Sequence, residues 1–183
     1  MRIETERLVL RSWIESDRAP FSRMNADPET MRYFPSTLSP QESDAALEKI
    51  TNGFEKHGFG RYAAELKSTG EFVGVIGLSV PAFEAAFTPC VEIGWRLVRQ
   101  YWNQGFTTEG ALSVLLYAFE DLGLPEIVSF TAVPNLPSQR VMEKIGMTHD
   151  PADDFDHPIL PEGHWLKRHV LYRKKSVAVN ILP

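Results

Sequence analysis

The sequence is poor in cysteine and carries no excess of positive charge, and each shortage excludes a class of protein. Among 183 residues Cys90 is the single cysteine. An intrachain disulfide or a thiolate zinc cluster therefore cannot form within these residues, and a reducing compartment is expected. Lys and Arg number 19 against 24 Asp and Glu, which gives a formal charge of −5. That sign disfavours binding to nucleic acid by general attraction to phosphate.

Long apolar runs are also missing. No stretch approaches the roughly eighteen apolar residues that cross a bilayer, and residues 1–7 have mixed charge without the apolar centre of a secretory signal. We therefore expect a cytoplasmic protein with no membrane partner. Hydrophobic residues make up 43% and charged residues 23%, which is ordinary globular usage. The length predicts one domain, residues 1–183, acting as a monomer or a homodimer.

Hydrophobic periodicity predicts a mixed sheet with helices on its faces. Alternating apolar residues predict strands at 7–14, 62–66, 72–78, 90–97, 127–133, 147–149 and 165–172. Helical spacing and capping signals predict helices at 15–27, 39–57, 107–122 and 135–146. A hairpin therefore comes first and two strand–loop–helix units follow, which is typical of one mixed sheet covered by helices.

The segment from Glu92 to Glu109 joins a strand, a glycine-containing loop and an amphipathic helix. Backbone N–H groups at a helix N-terminus are unpaired and lie at the positive end of the helix dipole, which suits a pyrophosphate. Gly105 would allow close approach, although an ordinary connection without a ligand is the alternative. Neither G-x-x-x-x-G-K-[ST] nor a strand followed by G-x-G-x-x-G occurs, which disfavours kinases, GTPases and Rossmann dehydrogenases.

The same segment resembles the acetyl-CoA-binding motif of the GNAT superfamily of N-acetyltransferases, in the branch that contains the ribosomal-protein N-terminal acetyltransferases. The family pattern is arginine or glutamine, two variable residues, glycine, one variable residue, then glycine or alanine. Trp102 stands at the first position and Gly105 at the central glycine. Asn103 replaces another usual glycine, and Thr107 replaces the small final residue.

Four further segments carry the resemblance in the same order. Residues 135–147 are similar to the branch's N-x-x-S-x-x-[VL]-[ML]-E-K-[LI]-G-[MF] motif, and residues 4–11, 72–77 and 169–172 resemble its first, third and last strands. The resemblance spans nearly the whole chain. It implies a mixed α/β GNAT fold: one mostly antiparallel sheet of about seven strands, about four flanking helices, and splayed central strands that hold acetyl-CoA.

The resemblance also implies which residues bind acetyl-CoA and where its thioester lies. The cofactor-binding residues would be Trp95, Arg96, Leu97, Trp102, Asn103, Gln104, Gly105, Phe106, Thr107, Thr108, Asn135 and Ser138. The thioester would lie between the strand containing Glu92 and the strand that ends at Val133. Asn135 would contact the pantetheine arm, although capping of its own helix is an alternative role.

Acetyl transfer to an amine needs a base, because a primary amine with a pKa of about 10 is mostly charged at neutral pH. Glu92 is the first candidate, directly or through water, and Glu65 is the second. Strand alternation places Glu92, Gly94 and Arg96 on one face, but Glu92 could equally be a surface or helix-facing carboxylate. A bulge between Gly94 and Leu97 would present a backbone N–H to the oxyanion.

The remaining proton is needed at the departing thiolate. Ser138 resembles the residue that protonates the CoA thiolate in this branch of the family. The alternative is that Ser138 is a helix residue without a catalytic role. The three histidines His157, His164 and His169 do not repeat at metal-ligand spacing, so no metal is expected.

These residues together predict an acetyl-CoA-dependent N-acetyltransferase with direct attack of the amine on the thioester. The acceptor would be a protein N-terminus or a small-molecule amine, bound against the first helices with Tyr33 and Phe34 in its wall. The alternative is a degenerate GNAT domain that binds acyl-CoA as a sensor or partner module without turnover. Such a module would need neither Glu92 nor Ser138.

Overall fold

A computed structural model describes residues 2–176 and contains nine strands and four α-helices within that range. Residue 1 and residues 177–183 of the predicted domain lie outside the described residues. In chain order the elements are β1 (Arg2–Glu4), β2 (Leu8–Arg11), α1 (Arg18–Ala26), α2 (Pro40–His57), β3 (Arg61–Leu66), β4 (Phe72–Ser79), β5 (Glu92–Leu97), α3 (Phe106–Leu116), β6 (Glu126–Ala132), α4 (Leu136–Lys144), β7 (Thr148–His149), β8 (Phe155–Asp156) and β9 (Arg168–Lys175).

The strands form one sheet in the order β1-β2-β3-β4-β5-β6-β9-β7, and β8 pairs with β9. Of the strand pairs described, β5 with β6 is parallel and the others are antiparallel. The parallel pair needs a crossover, which α3 provides. β5 and β6 share one bridge, between Glu92 and Val128, so the strands separate beyond it. The predicted mixed α/β class and the splayed central strands are confirmed.

The predicted strand bounds are wrong at both ends of the chain. The strand predicted at 7–14 is limited to Leu8–Arg11, and Trp13 already leaves the sheet to donate its indole N–H to the carbonyl of Arg61 at 2.8 Å. The strand predicted from 165 begins at Arg168, because Trp165 lies in the preceding loop with 60% of its surface exposed. The count is nine rather than about seven because β1 and β8 are too short to show a periodic pattern.

α2 begins where its local capping signal predicts it, whereas α1 begins at Arg18, three residues after its predicted start, and has no side-chain cap. Ser39 accepts from the amide of Glu42, and the Glu42 side chain accepts from the amide of Ser39, so the two residues cap α2 reciprocally. α2 ends at Gly58, whose φ of 75° is left-handed. No helix within residues 2–176 is both long enough and apolar enough to cross a membrane.

The helices cover opposite faces of the sheet. α3 and α4 pack over a large apolar core that includes Leu8, Ile76, Ile93 and Val114. On the other face a smaller core joins α1 and α2 to β4 through Phe21, Met24, Leu47 and Val75. Burying one such side chain contributes about 1.5–3 kcal/mol. β5 therefore has two chemically different sides, and Glu92, Gly94 and Arg96 lie on the side of α1 and α2.

Candidate active site

The opening between β5 and β6 is the centre of the candidate site, and we name it the splay (residues 94–97 of β5 and 130–132 of β6). Next to the bridge at Glu92, the amide of Val128 donates to the carbonyl of Val91 at 3.0 Å. The hydroxyl of Ser129 then donates to the carbonyl of Ile93 at 2.9 Å. Past Ile93 the described parts of the two strands share no further bridge. Beyond Ile93 the backbone groups on this edge of β5 therefore have no ladder partner on β6.

The bulge predicted between Gly94 and Leu97 is wrong. β4 and β5 pair without a register shift from Gly74–Leu97 to Ser79–Glu92. Because the amide of Val98 donates to the carbonyl of Val73, antiparallel alternation directs the amides of Trp95 and Leu97 away from β4 and into the splay. The divergence of β6 thus supplies the free donors that a bulge was expected to supply.

Glu92 lies at the closed end of the splay, where β5 and β6 share their bridge, and is 9% exposed. Its Oε2 accepts from the Arg61 guanidinium and from the Ser79 hydroxyl, each at 3.0 Å. Across residues 2–176 no hydrogen-bond partner is found for its other oxygen, Oε1. One oxygen is therefore held in place while the other can accept a proton from a bound molecule.

Two glycines explain how Arg61 of β3 reaches Glu92 of β5 across β4. Arg61 pairs with Gly77, and Gly77 pairs with Gly94, so the three residues stand in one row across the strands. A Cβ atom at Gly94 would lie 3.4 Å from Arg61 Nη2. The arginine side chain crosses the sheet over this glycine row, and a Cβ at Gly94 would come just into van der Waals contact with it.

The structure does not bring the second candidate base to the site. Glu65 lies on β3 and accepts from Arg11 Nε at 2.7 Å. Arg11 also binds Asp17 at 2.6 Å. Since β4 separates β3 from β5, Glu65 belongs to a different ion-pair network.

The loop that follows β5 has a backbone shape suited to a ligand. Asn103 and Gly105 have positive φ values of 58° and 83°, and asparagine tolerates this conformation better than most residues with a side chain. Asn103 therefore adopts the kind of conformation that glycine commonly supplies. Asn103, Gln104 and Gly105 are all exposed.

The N-terminus of α3 is capped differently from those of α2 and α4. Its N-cap is Gly105, which has no side chain to accept from the first amides, whereas Ser39 and Asn135 cap the other two helices. The amides of Phe106, Thr107 and Thr108 have no partner within the helix. Three donors at a positive helix end suit a phosphate.

Two predicted cofactor residues are packed inward instead of facing the loop surface. The indole N–H of Trp102 donates to the carbonyl of Leu97 at 2.8 Å, and Phe106 is 6% exposed. The side chains of Leu97 and Trp95 likewise pack with the core on the α3 face. These residues can offer a ligand their backbone more readily than their side chains.

Sequence reasoning missed Arg7 as a functional residue. Its Nε donates to Glu109 at 2.6 Å, and its Nη1 donates to the carbonyl of Gln104 at 3.0 Å. The guanidinium carbon lies 4.4 Å from the centre of the Phe106 ring. Arg7 therefore fixes the loop and adds a positive charge beside it. The sequence gives no signal for this pairing, because Arg7 and Glu109 are 102 positions apart.

Asn135 and Ser138 form a compact hydrogen-bonded unit at the start of α4. Asn135 Oδ1 accepts from the amide of Ser138 at 3.4 Å, which confirms the N-cap. Its Nδ2 donates to Thr131 Oγ1 at 2.8 Å and to Ser138 Oγ at 3.1 Å. No acceptor for the Ser138 hydroxyl proton is found in the described part of the chain. That proton is available to a neighbouring molecule.

A bridging segment, residues 27–38, crosses the splay on the α1/α2 face. The ring centre of Phe34 lies 4.8 Å from the Arg96 guanidinium carbon on the β5 side. Tyr33 packs on the β6 side, against a small cluster that contains Ala132 and Leu166. Both predicted acceptor-wall residues therefore lie over the splay.

The opposite wall on this face is aromatic. Because Val128 pairs with Glu92, Phe130 faces the same side. The ring of Phe83 lies 5.7 Å from Phe130 and 4.7 Å from His157, between ring centres. The cluster also includes Phe87, Phe155 and His169. The side chains of Glu92, Arg61 and Arg96 thus face an apolar wall.

His169 makes the fold sensitive to acid. Burial, the main cause, lowers its pKa to about 4, against about 6.5 in an unfolded chain. The unfolded state binds more protons between these values, so stability falls as pH drops from 7. We expect parent protein to lose about 2 kcal/mol more than a His169→Phe variant between pH 7.5 and pH 5. Urea unfolding at both pH values measures this difference, and equal losses would contradict the assignment.

Neither thiol nor metal chemistry is indicated at the site. Burial, with a smaller contribution from Glu92, raises the pKa of Cys90 to about 11, so its thiol is protonated at neutral pH. Within residues 2–176 no group of three or more His, Cys, Asp or Glu side chains is arranged to hold a metal ion. The arrangement instead combines a phosphate-binding loop, open backbone donors, a carboxylate and a hydroxyl. Those groups suit acyl transfer from a phosphate-bearing donor.

Comparisons with known proteins agree with this geometry. A family profile described as "Acetyltransferase (GNAT) domain" matches residues 7–148. The chain is 27% identical over 164 residues to "Uncharacterized N-acetyltransferase YnaD" of Bacillus subtilis (strain 168), which covers 90% of this chain and 91% of that protein.

Two solved structures illustrate the likeness of fold. An acetyltransferase of the GNAT family from Bacillus anthracis superimposes with a TM-score of 0.78 at 27% identity, over 96% of this chain and 98% of that one. RimL, a ribosomal L7/L12 alpha-N-protein acetyltransferase in complex with coenzyme A, superimposes with a TM-score of 0.76 at 17% identity, over 96% and 98%. Ribosomal-protein acetyltransferases are therefore among its structural neighbours.

Proposed function

This chain belongs to the GNAT acetyltransferase family, and from that premise we propose that it transfers the acetyl group of acetyl-CoA to a primary amine. The observation that carries the proposal is the position of Glu92. Its Oε1 has no hydrogen-bond partner among the described residues, and the amides of Trp95 and Leu97 on the same strand point into the splay. A base and an oxyanion donor therefore stand on the same short strand.

Acetyl-CoA fits the loop between β5 and α3. The amides of Phe106, Thr107 and Thr108 would hold its pyrophosphate, and Gly105 lets the backbone approach closely. Arg7 lies beside these donors, where its guanidinium pairs with Glu109 and its Nη1 holds the carbonyl of Gln104. When bound, acetyl-CoA supplies the activated acetyl group and a thiolate leaving group.

The proton path uses Glu92 and Ser138. Glu92 Oε1 takes a proton from the amine, directly or through water, and the freed nitrogen lone pair attacks the thioester carbon. The Trp95 amide donates to the carbonyl oxygen as negative charge develops there. The carbon–sulfur bond would then break as the Ser138 hydroxyl gives its proton to the sulfur, and the excess proton on the new amide nitrogen would pass to the Ser138 oxygen, directly or through water, and restore the hydroxyl. A weak acid is adequate because a thiol has a pKa of about 8.5.

Thiol release tests the proposal directly. Purified protein is incubated with acetyl-CoA and a panel of amines, and free CoA and the acetylated amine are measured by a thiol reagent and by mass spectrometry. Amine-dependent release supports the transferase. Tight binding of acetyl-CoA in calorimetry, with no release from any amine, would instead support the acyl-CoA sensor or partner module.

Removing Arg7 should weaken cofactor binding. We expect Arg7→Ala to raise the Kd for acetyl-CoA about tenfold, because the loop loses both its anchor at Gln104 and a nearby positive charge. Isothermal titration calorimetry measures the change. Arg2→Ala is the control, since Arg2 is exposed and pairs with Glu4. Equal Kd values for both variants would contradict this role.

A further inference from the structure

Arg96, which the resemblance predicted as a cofactor-binding residue, is a charged side chain without a counter-ion among residues 2–176. Its Nη1 lies 3.0 Å from the sulfur of Met31, and its guanidinium carbon lies 4.8 Å and 5.7 Å from the ring centres of Phe34 and Phe21. Its Nε is buried and has no hydrogen-bond partner. In the described part of the chain no carboxylate lies within ion-pair distance of Arg96.

This arrangement is unfavourable for the protein alone. Burial, together with the nearby charge of Arg61, lowers the pKa of the Arg96 guanidinium to about 10. Arg61 also has a buried Nε without a partner, and Glu92 is the carboxylate that pairs with it. A leucine or methionine would fill the space between Phe21 and Phe34 without the desolvation penalty of a charge. Two neighbouring cations with one carboxylate indicate that a bound anion completes the site.

The charges are ordered along β5. Glu92, Gly94 and Arg96 share one face, and the Arg61 guanidinium lies over Gly94 between the other two. A negative group therefore stands at one end of the row and positive groups at its centre and other end. A molecule with an ammonium beside a carboxylate has the complementary order.

The surroundings restrict the rest of that molecule. Phe130 and Phe83 form an apolar wall across the splay, which favours an apolar side chain. The bridging segment covers part of this face with Tyr33 and Phe34, which favours a small acceptor over a folded protein.

We propose that the acceptor is a free amino acid with an apolar side chain, whose amine faces Glu92 and whose carboxylate binds Arg96. This inference rests on the proposed acetyl transfer and narrows its acceptor. The Arg61 guanidinium would approach the same carboxylate while it keeps Glu92 in position.

Matched substrates first test whether the acceptor needs a carboxylate. Thiol release is measured for apolar L-amino acids, their carboxamides and the corresponding decarboxylated amines, for example L-phenylalanine, L-phenylalaninamide and 2-phenylethylamine. We expect kcat/KM to be at least about thirtyfold higher for the best acid than for its amide and amine, mainly through KM. Equal values, or activity limited to peptide N-termini, would overturn the proposal.

Variants of Arg96 then test whether this side chain is responsible for the preference for the acid. Arg96→Met should bring the ratio of kcat/KM for L-phenylalanine to kcat/KM for 2-phenylethylamine down to about one, and Arg96→Lys should restore part of the preference for the acid. Arg23→Met is the control, because Arg23 is an exposed arginine on α1. An unchanged acid preference in Arg96→Met, with parent-like affinity for acetyl-CoA, would overturn the assignment.

Different results would reject acetyl transfer and the amino-acid acceptor. Release with neutral or cationic amines but without preference for a carboxylate rejects the amino-acid acceptor and leaves acetyl transfer intact. Absence of release with every amine rejects acetyl transfer, and the acceptor assignment falls with it.

Discussion

Replacing Glu92 by glutamine is expected to lower kcat about a hundredfold to a thousandfold, with the Kd for acetyl-CoA nearly unchanged. The amide cannot accept the proton that the amine must lose, and Glu92 lies away from the phosphate loop. The residual rate should keep rising with pH toward the amine pKa of about 10, because free amine then forms without a base.

Full pH profiles of kcat and kcat/KM for parent and Glu92→Gln measure this effect. Glu65→Gln is the matched control, since that carboxylate pairs with Arg11 away from the splay, and its profile should equal that of the parent. Because Glu92→Gln leaves the Arg61 charge without its partner, thermal unfolding of each variant separates loss of the base from loss of fold. A parent-like pH profile in a folded Glu92→Gln protein would reject Glu92 as the base.

Replacing Gly105 by valine is expected to raise the Kd for acetyl-CoA at least about thirtyfold. Gly105 has a φ of 83°, which a β-branched residue adopts only with strain. An added Cβ would also lie 3.3 Å from Arg7 Nη2, so the loop anchor must shift. The amides of Phe106 to Thr108 would then point away from their present positions.

Calorimetry with acetyl-CoA measures the Gly105→Val effect, and Gly123→Val separates it from general strain. Gly123 has a comparable φ of 64° and lies outside the loop, and a Cβ added there would meet no atom of the described residues within 4 Å. Gly123→Val should lower stability but keep the parent Kd. Equal Kd values in the two variants would show that the loop backbone does not bind the cofactor.

The features that sequence analysis predicted well are those that depend on neighbours in the chain. The reciprocal cap of α2 by Ser39 and Glu42, the N-cap Asn135 and the turn at Gly105 all arise within four residues. Alternation along β5 likewise put Glu92 and Arg96 on one face, because the period of a strand is local.

The features that it missed join distant parts of the chain. The bulge at Gly94 was wrong because β4 and β5 pair in unbroken register, and strand pairing joins distant parts of the chain. The link between Arg7 and Glu109 and the missing partner of Arg96 depend on the packed sheet and helices, and no periodic pattern encodes them.

Because Arg61 crosses β4 over the glycine row, acceptor preference would depend on the β3–β4 hairpin as well as on the bridging segment. Under the proposed acceptor assignment, part of the acceptor chemistry comes from Arg61 in the β3–β4 hairpin, which would otherwise serve only as scaffold. A chimera that exchanges the bridging segment alone would therefore transplant the cover of the site but not its charge pattern. A chimera meant to transfer acceptor preference would have to exchange the hairpin together with β5.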